Sequence, residues 1–381
     1  MNILFYKNET IQLERGGIDR VTDVLGRAFE KQHNVYYLME ICEDESKNRD
    51  NFYYLPNSEE LFADENILFA RQLFYKFNIN IIINQEGITP ASSMFILRAK
   101  TDEVKLFTVV HNTLTSIYGA KGHFSPSFLQ NIPSFIYHLL DKVCLDYFRF
   151  KYKDYWNYVL EKSDKIIMLS KSLENNLNLF LRNDLKIQGK ITSIPNPVTL
   201  QVKEKINKEK RILFVGRLSA EKQPFLLLKI WKCLQNNLLD YHLDIVGEGK
   251  LRPFLERYAV KHNIRNVHFY GKQDPIKYYE KATLFFMTSS YEGMPLTILE
   301  AMSFQCVPIV FDSFPTVHDL IDNNKNGLLI PSFDIDEFVN QAINLLNDEV
   351  RIREMQYCCE RKVKKFSLVE TIQQWETLFN T

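Results

Sequence analysis

The sequence lacks most of the features that assign a chain to a class at once. Its six cysteines show no metal-ligand spacing, and the adjacent pair Cys358-Cys359 suits neither a zinc knuckle nor a redox C-x-x-C. That usage predicts reduced thiols in a cytosolic setting. No stretch approaches the roughly 18 apolar residues of a membrane span. Lys7 also interrupts the first apolar run too early for a signal peptide. Excess charge is missing as well: 47 Lys+Arg meet 47 Asp+Glu. The balance holds on both sides of residue 200, with 23 basic against 24 acidic residues before it. Neither half can neutralise a phosphate backbone broadly, so nucleic acid is not expected as a partner. Low-complexity tracts and internal repeats are absent, and 28 Phe with 19 Tyr exclude a disordered or collagen-like chain. H-E-x-x-H, G-x-S-x-G and Walker-type loops do not occur. No Asp-x-Asp signature is read in a loop after a strand, so neither a catalytic divalent ion nor any cofactor is expected.

What is present is an alternation. Length (381 residues) suits two domains of roughly 150 residues or more, and 45% hydrophobic residues can fill two cores. Apolar runs of about five residues alternate with longer amphipathic segments, which reads as an α/β chain with parallel sheets. Strands are expected at Asn2–Tyr6, Val35–Met39, Asn80–Ile83, Leu106–Val110 and Lys165–Leu169. Ser193-Ile194-Pro195-Asn196-Pro197 and the Lys-rich stretch to Arg211 then read as an exposed linker. A second series follows at Arg211–Gly216, Leu243–Gly247, Val267–Gly271, Leu284–Met287, Val307–Phe311 and Leu328–Ile330. The expected architecture is two Rossmann-like domains, 1–197 and 198–365, facing across a cleft, with a helix at 366–381. Ligands of such sheets bind beyond the carboxyl ends of the strands.

Three clusters fall at such ends. Tyr291-Glu292-Gly293-Met294-Pro295-Leu296-Thr297-Ile298-Leu299-Glu300 follows an expected strand, with Pro295 suited to the first turn of a helix. The backbone N–H groups of residues 296 to 298 are then expected to form an anion site, with Glu292 before the helix and Glu300 inside it. Gly216-Arg217-Leu218-Ser219-Ala220-Glu221-Lys222 offers a guanidinium fork and a point charge that could clamp a diphosphate. A polar turn with surface cations is the plainer reading of the same residues. Arg15-Gly16-Gly17-Ile18-Asp19-Arg20 opens the first helix, where glycines let a backbone approach a phosphate; a flexible loop is the alternative. Gly247-Glu248-Gly249 begins like a dinucleotide fingerprint but lacks the third glycine, which argues against a nicotinamide site. His111 closes a strand and is either a structural histidine or a group aimed into the cleft.

In order and strand-end context, Gly16-Gly17, His111, Gly216-Arg217 with Lys222, and Glu292 to Glu300 resemble the retaining glycosyltransferases of family 4, which have the GT-B fold. The resemblance covers nearly the whole chain, is strongest over residues 209–347, and extends to a C-terminal helix, Phe366–Leu378 with Trp375, that crosses back onto the N-terminal domain. It implies catalytic roles for Glu292, His111, Arg217 and Lys222. Donor binding is implied for Gly16, Gly17, Arg217, Lys222, Glu292, Gly293, Met294, Pro295, Leu296, Thr297 and Glu300. Within that set, Arg217 and Lys222 would neutralise a nucleotide diphosphate, approached by the Gly17 backbone. Glu300 would take ribose hydroxyls, Glu292 sugar hydroxyls, and His111 the sugar near its anomeric centre.

Relatives often carry Glu-Gly-Phe-Gly where this chain has Glu292-Gly293-Met294-Pro295, a variant that favours a UDP-sugar over GDP-mannose. Phe311-Asp312-Ser313-Phe314-Pro315-Thr316 replaces a Gly-rich or Pro-rich stretch and leaves the sugar pocket unspecified. The implied activity is metal-independent transfer of a hexose or N-acetylhexosamine to a glycan or lipid-linked acceptor in surface polysaccharide or lipopolysaccharide assembly. A GDP-mannose-dependent mannosyltransferase, a nucleotide-sugar epimerase and a catalytically silent nucleotide-binding partner are the alternatives. Residues 134–160 interleave aromatics with Lys142, Arg149, Lys151 and Lys153, whose charge Asp141, Asp146 and Asp154 dilute, so this stretch either packs a core or docks on the inner face of the cytoplasmic membrane.

Overall fold

The computed structural model describes residues 1–13, 16–43, 46, 49–124, 133–181, 189–200, 202 and 206–380. Arg15 of the first glycine cluster and residues 203–205 of the expected linker lie outside them.

Among the described residues there are two parallel sheets. The first contains β1 (Asn2–Glu9), β2 (Asn34–Ile41), β3 (Phe52–Tyr54), β4 (Ile81–Asn84), β5 (Lys105–Val110), β6 (Lys165–Met168) and β7 (Ile191–Ser193). Its order is β3-β2-β1-β4-β5-β6-β7. The second contains β8 (Glu209–Val215), β9 (His242–Val246), β10 (Val267–Gly271), β11 (Ala282–Met287), β12 (Val307–Asp312) and β13 (Leu328–Pro331), in the order β10-β9-β8-β11-β12-β13. Both are Rossmann-like, and each reverses direction once. The switch points are β1/β4 and β8/β11, where a doubly wound sheet opens its ligand crevice.

Apolar runs make these strands because a parallel sheet is covered on both faces. Ile81, Ile82 and Ile83 are all buried, and so are Leu106, Phe107, Val109 and Val110. Between strands the period changes to that of a helix: Val21, Leu25 and Phe29 line the buried face of Gly17–Phe29. Phe5 stacks on Phe29 and Tyr37, with ring centroids at 6.2 and 5.5 Å. In the second sheet's core Trp231 is fully buried, and its indole N–H donates to the Arg265 carbonyl at 2.8 Å. That bond removes the penalty of burying a polar tip. Every strand expected from the sequence occurs; β3 and β7 are additional three-residue edge strands, too short to show a period.

The chain divides into two compact units. One holds the described residues of 1–114, 145–199 and 368–381, the other those of 115–144 and 200–367. Residues 115–144, which the sequence reading kept with the first domain, therefore group with the second unit. The C-terminal helix Leu368–Phe379 belongs to the first. There Trp375 and Phe379 pack on Phe29, at 6.4 and 5.2 Å between centroids, and Glu376 meets His33 Nε2 at 2.7 Å.

Candidate active site

The second unit's site is built on the loops after β8 and β11. After β8 the chain runs through Gly216 and Arg217 into a 3-10 turn, Ala220–Lys222, and Gln223 then adopts a left-handed conformation (φ 48°) before the helix Pro224–Leu234. The loop after β11 is strapped to this turn. Thr288 Oγ1 donates to the Lys222 carbonyl at 2.9 Å, and the Ser290 N–H donates to the Glu221 carbonyl at 2.7 Å. Two further hydroxyls hold the same loop from the β12 side, Ser313 on the Ser289 carbonyl at 2.6 Å and Thr316 on the Gly293 carbonyl at 2.5 Å. These straps bring Lys222 Nζ onto Glu292 Oε1 as an ion pair whose side chains are 21% and 12% exposed. Arg217 is exposed, and its charge is felt at the Tyr291 hydroxyl.

Gly216 is held by the neighbouring loop. At Gly247 (φ 149°) a Cβ would lie 1.8 Å from the Gly216 carbonyl oxygen, and at Gly249 one would lie 2.3 Å from the Leu218 carbonyl oxygen. Those glycines, set aside as a failed dinucleotide fingerprint, press the β9 loop onto the β8 loop.

Around the acidic motif, Gly293, Met294, Pro295 and Leu296 are buried and Thr297 is partly so. The helix spans Leu296–Ser303, so Pro295 occupies the cap (φ −71°, ψ 107°) rather than the first turn. Of the three N–H groups expected to face an anion, that of Ile298 is used locally, donating to the Pro295 carbonyl at 3.2 Å. This corrects the sequence reading and reduces that expected set to Leu296 and Thr297. Glu300 is fully buried, and its Oε2 accepts from the equally buried Tyr279 hydroxyl at 3.1 Å. One further correction concerns metals: Asp334-Ile335-Asp336 is an Asp-x-Asp triplet after β13. Asp334 serves there as a helix cap, accepting from the Glu337 N–H at 3.0 Å.

The first unit carries its own cluster at the β1/β4 switch point. Gly16 is extended, a would-be Cβ there meets nothing within 4 Å among the described residues, and Gly17 opens the helix. Two residues on, Asp19 is buried and pairs with Lys7 Nζ at 3.0 Å, while its other oxygen accepts the Gln12 N–H at 2.9 Å. His111, just past β5, is buried with its Nε2 against Gln85 Oε1. Burial first, and then the Lys7 charge, push its pKa from 6.5 down to about 3, so the ring is neutral. Lys7, Gln85 and Tyr279 were not singled out by sequence reasoning. For Lys7 and Gln85 the available signal was a polar residue where an apolar run stops, as Lys7 follows Ile3–Tyr6 and Asn84-Gln85 follows Ile81–Ile83.

Residues 198–365 match the family described as glycosyl transferases group 1. That segment belongs to the family. Similar proteins include the Campylobacter jejuni GalNAc-alpha-(1->4)-GalNAc-alpha-(1->3)-diNAcBac-PP-undecaprenol alpha-1,4-N-acetyl-D-galactosaminyltransferase, 33% identical over 44% of this chain and 47% of its own. Another is the Escherichia coli UDP-Gal:alpha-D-GlcNAc-diphosphoundecaprenol alpha-1,3-galactosyltransferase, 32% identical over 50% of this chain and 54% of its own. The chain thus spans about half the length of the curated relatives it matches. A Staphylococcus aureus TarM mutant in complex with fondaparinux, alpha-GlcNAc-glycerol and UDP shares the fold, with a TM-score of 0.76 over 100% of both chains at 16% identity. The fold is GT-B, with two Rossmann-like domains.

Proposed function

We propose that this chain is a retaining glycosyltransferase that moves a hexose or N-acetylhexosamine from a UDP-sugar to a glycan or lipid-linked acceptor. The observation that carries the reading is the Lys222–Glu292 pair at the β8/β11 switch point of the group 1 segment. A diphosphate entering there competes for the Lys222 ammonium and releases Glu292 toward sugar hydroxyls. Arg217, on the same loop after β8, adds a bidentate fork for the phosphates as charge develops on the leaving group. Two local cations and the turn at Leu296 and Thr297 supply that stabilisation, so transfer needs no metal. Names of similar proteins support the finer points: UDP-Gal as donor and an undecaprenol diphosphate acceptor in the E. coli relative, and UDP in the TarM complex.

The same reading places the enzyme on the inner face of the cytoplasmic membrane. No helix among the described residues is long and apolar enough to cross one. On the helix Ser134–Lys162, however, Leu139, Val143, Tyr147 and Phe150 are exposed, by 60%, 57%, 57% and 86%. Their spacing puts them on one face, and the exposed Lys142, Arg149, Lys151 and Lys153 accompany them. Tyr155 and Trp156 are core, and the side chain of Phe135 lies outside the described residues.

Hydrolysis and thermal shift across UDP-glucose, UDP-galactose, their N-acetyl forms and GDP-mannose test the assignment. A UDP-sugar should give both a shift and slow hydrolysis, with transfer once an acceptor is supplied. Turnover of the sugar without acceptor or hydrolysis would mark an epimerase. Binding without turnover of any donor would mark a silent partner.

A further inference from the structure

His111 and Gln85 sit on loops that leave little freedom. Gln85 is 2% exposed, and its backbone N–H donates to the Tyr6 carbonyl at 3.0 Å, which ties it to β1. Its side-chain oxygen lies against His111 Nε2. An amide oxygen can only accept, so the ring nitrogen facing it must carry the proton. In a neutral ring the proton on Nε2 leaves Nδ1 as a bare acceptor, and Nδ1 is buried with no hydrogen-bond partner among the described residues. Most buried polar atoms are paired, and the exceptions call for a functional reason. Neutrality has its own support, because the Lys7 ammonium, held by Asp19 at 3.0 Å, opposes a second positive charge on the ring.

We propose that Gln85 is a positioning residue that fixes His111 in the Nε2–H tautomer and so presents Nδ1 as an acceptor for a carbohydrate hydroxyl. The hydroxyl rests on the glycosyltransferase reading; the tautomer does not. An acceptor nitrogen favours ligands that donate a hydrogen bond at that point and disfavours those whose hydroxyl is removed or replaced by fluorine.

The test is a long-range proton–nitrogen correlation spectrum of histidine-labelled full-length protein at neutral pH, with His111→Asn identifying the resonance. The expected result is a neutral Nε2–H ring. In Gln85→Leu the ring should redistribute between tautomers. In Gln85→Glu, which keeps an acceptor, the Nε2–H form should persist while the ring titrates at higher pH. Hydrolysis of the donor found by the screen should fall at least about tenfold in Gln85→Leu, the scale on which supporting residues act, and recover in Gln85→Glu above the new pKa. Melting curves check that both variants fold. A wild-type Nδ1–H tautomer, a charged ring, or a tautomer unmoved by Gln85→Leu overturns the proposal. An Nδ1 resonance that ignores a saturating, hydrolysed donor overturns its hydroxyl part. If no donor is hydrolysed, the transferase reading fails while the spectra still decide the tautomer.

Discussion

Lys222 and Glu292 neutralise each other at the end of β8, and a ligand that separates them must offer each a better partner. Lys222→Ala should therefore reduce turnover by about 10²–10³, as loss of one preorganised charge partner does, with little change in melting temperature. Near-normal turnover would remove Lys222 from the site. The two glutamates should behave differently. With the roles proposed above, Glu292→Gln should lower kcat, because the sugar hydroxyls it would hold belong to the reacting centre. Glu300→Gln should mainly weaken UDP binding, since the ribose contact proposed for it would be made equally in ground and transition states. Isothermal titration with UDP alone separates them, and equal losses of affinity would contradict this division. His111 gives a pH test. Its pKa lies at about 3 instead of 6.5, so the unfolded chain binds a proton that the folded ring refuses between those values. Stability should then be fully present above pH 6.5 and fall as pH drops toward 3, by at most about 1.4 kcal/mol per pH unit from this group. Among the described residues the charge acting on the ring is that of Lys7, itself paired with Asp19. Acid titrations of His111→Gln should show a correspondingly shallower slope.

Loops rather than single side chains set the geometry at the next scale. Gly247→Ala would drive a methyl group into the Gly216 carbonyl and force a side chain into φ 149°. The variant should lose roughly 1–3 kcal/mol of stability and also bind UDP more weakly, because Gly216 moves with it. Loss of stability with unchanged UDP affinity would confine the glycine to packing. The helix Ser134–Lys162 was ambiguous in sequence because aromatics run around all its sides; tertiary packing sorted them, burying Tyr155 and Trp156 and leaving Tyr147 and Phe150 outside. If its exposed face meets a bilayer, cosedimentation with liposomes should rise with anionic lipid and fall with salt. Reversing Arg149, Lys151 and Lys153 should abolish that response while donor hydrolysis continues. Binding indifferent to lipid charge would contradict the bilayer reading.

For the molecule as a whole, the chelation test follows from the cations it carries. Transfer should persist in EDTA, and activity abolished by EDTA and restored by Mn²⁺ or Mg²⁺ would show that Arg217 and Lys222 are insufficient. Both sheets were legible in the chain because parallel strands, covered on both faces, must be apolar runs, and amphipathic helices between them force the α/β class. The strand-end motifs were legible for a related reason: glycine, cations and carboxylates stand out where an apolar run stops. Partnerships across the sheets were not legible. Nothing local to Lys7 indicates Asp19, nothing in Ile81–Asn84 announces that Gln85 will face His111, and Tyr279 reaches Glu300 only after β11 and the loop behind it have folded between their two helices. Composition and period determine which segments are strands and helices, since burial acts on each segment's own pattern. Which polar groups meet at the carboxyl ends is decided by strand order, because side chains far apart in sequence share a hydrogen bond only once β4 lies beside β5 and β11 beside β8.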